Sequence, residues 1–192
     1  MKIDALVQKI RELEGELDRN IEEHRQQFSY VIKNKRVQFE QAIRQRHIEL
    51  KTSLSRYLYA SGILAIIFAP IVYSLMIPLV LLDIFVSIYQ FTCFPVYGIK
   101  KVKRSDFIAL DRHHLAYLNA LEKLNCVYCG YANGLLAYVR EIAGRSEAHW
   151  CPIKHARRVQ GPHPYYWGFS DYGDAEGYAR KETEGSSTKR YL

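Results

Sequence analysis

The sequence predicts an all-α protein in three parts: a long N-terminal coiled-coil helix, a transmembrane helical hairpin and a small C-terminal helical domain stapled by metal. Three observations carry that expectation. Residues 1–56 hold no proline and one glycine, Gly15, under an apolar repeat of period seven. The stretch 57–99 is almost wholly apolar, with Asp83 its one formal charge. Two short pairs, Cys126-x-x-Cys129 and Cys151-x-x-x-His155, follow in the last part, separated by about twenty residues, the layout of a closed zinc site.

The arm, 1–56, is expected as one helix. Ile3, Val7, Ile10, Leu17, Ile21, Phe28 and Val31 alternate at steps of three and four, with Glu14 and His24 interrupting the series. Ile32, Phe39, Ile43, Leu50, Leu54 and Tyr57 continue it on a shifted face. Such a seam predicts a coiled coil with a register adjustment near Val31 and Ile32. A polar helix of about 50 residues, roughly 75 Å long, needs a partner to persist, so a homo-oligomer through the arm is expected. An amphipathic helix lying on a membrane, or on the chain's own C-terminal domain, is the alternative.

The apolar part, 57–99, is roughly twice the length that one helix needs to cross a bilayer. Pro70 and Pro78 suggest two helices turning near Tyr73–Pro78. One tilted span plus a buried helix, and a re-entrant hairpin, compete with that picture. The net charge of +7 crowds beside this stretch: residues 100–158 carry 11 Lys and Arg against 5 Asp and Glu. Basic residues bordering a span mark its cytoplasmic side and attract anionic lipids, so both termini are expected in the cytoplasm. A nucleic-acid partner asks for the same sign of charge but not for this placement, and is disfavoured. The competing function of a redox protein stays open, and a further protein partner is compatible with the arm. Asp83, close to Pro78, is expected at the far interface within reach of water.

In the cytoplasmic domain, 100–180, Phe107, Leu110, His114, Leu118 and Leu121 share a helical face, with His114 expected in the core. A second helix is expected over "GYANGLLAYVREIAG", with Leu135, Tyr138, Val139 and Ile142 inward and Gly144 as its stop. The Cys126/Cys129 pair then falls between two helices. Spacing lets Cys126, Cys129, Cys151 and His155 close a tetrahedron of three thiolates and an imidazole around zinc, or iron as the alternative. A redox dithiol at the N-terminus of the second helix, and cysteines packed as small apolar groups, are the rival readings. The acidic "SDYGDAEGY" lacks full calcium-loop spacing and is expected to form turns and charge contacts. The last residues, 181–192, are polar and expected to be disordered.

The Cys126, Cys129 and Cys151-Pro152 pattern resembles zinc ribbons and rubredoxin-like modules, whose four thiolates hold zinc or iron. That resemblance spans about thirty residues and implies a ligand set only; His155 replaces the last cysteine and stands one position late. "YCGYANG" and "WCPIKHARR" are similar to stretches of an uncharacterised family of bacterial membrane proteins, which implies an inner-membrane location and no activity. No phosphate-binding loop, dinucleotide fingerprint or serine nucleophile elbow is present. Metal and thiol chemistry need none of these, so the enzyme question stays open. The expectation is a membrane-anchored oligomeric scaffold or adaptor with structural zinc, against the alternative of a membrane-bound metal or dithiol redox protein.

Overall fold

The computed structural model describes residues 2–26, 30–33, 36–39 and 41–180, and is mostly helical. The predicted tail, 181–192, lies outside the described residues. The chain forms two compact units, one of 1–57 with 111–123 and one of 58–110 with 124–192.

In the first unit, the single arm helix is replaced by α1 (Lys2–Gln26), a hairpin of β1 (Tyr30–Lys33) and β2 (Arg36–Phe39), and α2 (Gln41–Glu49). The strands are antiparallel, with Tyr30 opposite Phe39 and Ile32 opposite Val37. Tyr-Val-Ile and Val-Gln-Phe are β-branched and aromatic, and they suit a pleated pair better than a helix. The residues expected at a register shift in the seam, Val31 and Ile32, are therefore strand residues. Of the predicted seam on α1, Ile10, Leu17 and Ile21 are exposed, and so are Leu6 and Leu13 beside it. Also in this unit, the His47 ring meets Tyr117 edge-on at 5.1 Å.

The apolar part begins as α3 (Leu54–Ser74) and continues as α4 (Met76–Val96). No reversing turn forms at Tyr73–Pro78. Leu75, between the two helices, is itself helical (φ −62°, ψ −16°). Its N–H donates to the Val72 carbonyl, and the Leu79 N–H donates to the Leu75 carbonyl, both at 3.3 Å. Pro78 stands in the first turn of α4, where its missing N–H leaves no helical bond unmade. The break lies earlier, at Gly62, with φ +76° and ψ 153°. Leu54–Val96 is thus one helical run long and apolar enough to cross a membrane, and none of its most apolar window is buried.

Of the helix expected over 107–125, only the part from Ala120 forms, as the start of α5. Short 3-10 turns cover Arg104–Asp106 and Arg112–His114, and Phe107–Leu110 is non-helical. His114 is exposed rather than in a core. Instead α5 (Ala120–Trp150) runs unbroken through the Cys126/Cys129 pair and past Gly144. Asn119 starts it. Its side-chain oxygen accepts from the Leu121 and Glu122 N–H groups, each at 3.0 Å, while its own N–H donates to Glu122 at 2.8 Å. That reciprocal capping box satisfies orphan donors at the helix start.

In the second unit, contacts climb from the end of α3 along α4, each with α5. Tyr128 donates to the Val72 carbonyl, Tyr131 to Asp83, Gln90 to Tyr138, and Tyr97 meets Trp150. α4 and α5 therefore lie side by side and parallel, and residues 99–110 return along them in the opposite sense. Phe94, Val102, Leu135, Tyr138 and Ile142 form the buried core, one residue from the return and the rest from the two helices. Gly130 and Gly134, one helical turn apart, admit the return. A Cβ on Gly134 would stand 2.7 Å from the Phe107 carbonyl oxygen and 2.9 Å from the Ile108 Cα.

Because those neighbours are backbone, Gly134→Ala is expected to destabilise the protein by about 1–3 kcal/mol. Gly15→Ala meets nothing within 4 Å on α1 and is expected to be neutral or to stabilise by up to about 1 kcal/mol. Thermal unfolding of the two variants side by side checks both signs.

Candidate functional site

The inner face of α4 carries three polar residues at helical spacing, Asp83, Ser87 and Gln90, in an otherwise apolar helix. Each is tied to protein. Gln90 is buried. Its amide oxygen accepts from the Val102 N–H at 2.6 Å, and its amide nitrogen donates to the Val102 carbonyl at 3.3 Å and the Tyr138 hydroxyl at 2.9 Å. Asp83 does not lie beside a reversing turn. Arg104 holds it with two contacts, Nη2 at 2.6 Å and Nε at 3.3 Å, and Tyr131 donates to it at 2.9 Å. Ser87 adds a longer contact at 3.4 Å. A carboxylate in an apolar helix is thereby paired and hydrogen-bonded, the condition for tolerating it there. The bond to Asp83 raises the pKa of Arg104, and burial followed by the Asp83 bond pushes the Tyr131 phenol up. Spacing of Asp83, Ser87 and Gln90 at steps of four and three was the sequence signal for this protein-facing stripe.

A second polar cluster fastens the C-terminal segment to α5. Glu141 accepts from Arg145 at 2.8 Å and from Tyr165 at 2.5 Å. Arg145 also donates to the Lys100 carbonyl at 2.7 Å, linking α5 to the start of the return. Burial, then the Glu141 carboxylate, pushes the Tyr165 phenol up. His163 packs on Gly144, where a Cβ would meet its ring at 2.8 Å, and its Nε2 lies 2.7 Å from Glu147. Gly144 is thus a docking point rather than a helix stop. Beyond it, Pro152 and Lys154 bond Ser170 through their backbones, and Lys154 pairs with Asp171 at 2.8 Å. The acidic segment thus meets a basic residue that follows α5, rather than a basic helix as expected.

The four proposed metal ligands are not brought together. Cys126 and Cys129 are interior residues of α5, whereas Cys151 and His155 follow its end. Some twenty residues of helix separate the two pairs, about 30 Å at 1.5 Å per residue. The His155 N–H donates to the Tyr166 hydroxyl at 2.9 Å, and its ring stacks with Tyr166. Among the described residues, no three His, Cys, Asp or Glu side chains gather as a metal set. The dithiol argument loses its premise as well. Cys126 and Cys129 lie beyond the first turn of α5, where backbone N–H groups already bond within the helix and no free helix end favours a thiolate. Compared with family models, curated proteins and solved structures, the chain matches none.

Gln90→Ala leaves the Val102 N–H without its buried acceptor. Stability is expected to fall by about 1–3 kcal/mol, with faster hydrogen exchange at the Val102 amide. An unchanged exchange rate there would mean that the return is held by other contacts.

Cys126→Ser and Cys151→Ser are each expected to change stability by less than about 1 kcal/mol, and chelator is expected to leave the unfolding midpoint of the unmutated protein in place. Metal lost from both variants, with a chelator-sensitive midpoint, would show instead that the four ligands meet.

Proposed function

We propose that the protein is a membrane-anchored scaffold or adaptor that presents α1 for self-association. The observation that carries the reading is the exposure of the apolar run. α3 buries none of its residues, and Ile63, Leu64, Ile66 and Val72, which fall on different sides of the helix, are all exposed. On α4 the inner face belongs to the core, while Ile77, Leu81, Ile84, Ile88 and Phe91 stand exposed at steps of four and three on the other side. Removing five side chains of that size from water is worth on the order of 10 kcal/mol. Lipid is the solvent that suits such a surface.

The anchor in this reading is monotopic. α3 and the outer face of α4 insert, and both basic flanks remain on one, cytoplasmic, side of a bacterial inner membrane. Two features support that arrangement over a full crossing. Arg104, from the basic flank, pairs with Asp83 midway along α4. Lys101 lies 4.4 Å over the Phe91 ring, where an ammonium can meet lipid headgroups while its stem covers apolar surface. The scaffold reading needs no zinc, because one protomer does not assemble the ligand set.

Membrane fractionation tests the anchor. The wild-type chain is expected to sediment with membranes through an alkaline wash and to be released by detergent. Substituting the exposed Ile67 and Ile71 with Lys is expected to shift most of the protein to the soluble fraction, with its circular dichroism retained. A wild-type chain that is soluble without detergent would overturn the proposal.

A further inference from the structure

We infer that α1 pairs with α1 of a second copy in the antiparallel orientation. The inference rests on the self-association proposed above and adds its direction. The heptad written on α1 places Val7, Glu14 and Ile21 at one core position and Ile10 and Leu17 at the other. All of these except Val7 are exposed or half-exposed along the helix, with Leu17 58% and Ile10 51% accessible.

Glu14 decides between the two directions. A parallel pair in register sets Glu14 against Glu14 of the second copy in one core layer, so two like charges lose water together. Reversing one helix sets Glu14 opposite Leu17 of the second copy and Ile10 opposite Ile21. The two carboxylates then fall in separate layers, each with an aliphatic neighbour and a path to water.

The flanking charges agree. Arg11 and Asp18 occupy the same heptad position, immediately after the core residues Ile10 and Leu17. In an antiparallel pair this position faces itself, so Arg11 meets Asp18 of the second copy, and the contact occurs twice. The sequence continues the alternation one heptad outward, with Asp4 before and Arg25 after, so reversal matches opposite signs throughout. In a parallel pair the same residues would face the positions of Leu6, Leu13 and Asn20, which carry no charge. Flanking charges of this kind set partner choice and direction more than total affinity.

A charge-reversal cycle on the full chain in detergent micelles tests the direction, with dimerisation followed by sedimentation equilibrium. Arg11→Asp and Asp18→Arg are each expected to weaken the dimer by about tenfold. The double variant is expected to recover to within about threefold of wild type. Both sites are on the exposed surface of α1, so circular dichroism should not change. A wild-type chain that stays monomeric at every concentration overturns self-association, and the direction with it. A wild-type dimer whose single variants are unaffected, or whose double variant fails to recover, overturns the antiparallel direction and leaves self-association standing.

Discussion

Gln90 sits on a helix whose other neighbours are almost all apolar, and its amide is buried. A buried side-chain amide is tolerable only when its donor and acceptor are satisfied. Here the backbone of Val102 supplies an acceptor and a donor, and the Tyr138 hydroxyl supplies a second acceptor. One side chain thus stitches α4 to the returning segment and to α5. The direction of the return follows from that stitch. So does the arrival of Arg104 beside Asp83 and of Phe107–Leu110 against Gly130 and Gly134. Without the return, Gln90 would keep only the Tyr138 hydroxyl, and Asp83 only Tyr131 and Ser87.

The glycines complete what Gln90 begins. A helix with side chains at 130 and 134 would hold the return at a distance, and Ile108 would lose its packing on the core. Glycine in a helix interior sacrifices roughly 1 kcal/mol relative to alanine, so two of them one turn apart are explained by close approach of another backbone. Farther along α5, on nearly the same face, the same logic applies to Gly144 and the ring of His163. α5 is therefore approached closely at three points, which an unbroken helix makes possible by keeping their spacing fixed.

Much of this was legible from residue patterns, and what was not has physical causes. The helical class and the apolar run follow from composition, because some forty apolar residues leave few alternatives. The hairpin turn failed because proline was read as a helix stop, while Pro78 in a first turn is compatible with helix. The arm failed at Tyr30–Phe39, where β-branched and aromatic residues happened to keep the seven-residue period while favouring strands. The metal reading treated the Cys126/Cys129 pair as a knuckle between helices. The Asn119–Glu122 capping box starts the helix before the pair and carries it through. Asp83 is a lone charge in its own stretch of sequence, and pairing it with Arg104 requires knowing how the chain returns, which no local pattern states.

Since α4 contributes Phe94 and Gln90 to the core and its opposite side to the apolar exposed face, folding and partitioning share one element. In a lipid phase that face is solvated, and the native state gains free energy that an unfolded chain in water does not. The two equilibria are thermodynamically linked. On the proposed anchor, bilayer thickness, headgroup charge and detergent identity would act on this protein as allosteric ligands do on others, shifting its stability without touching its interior.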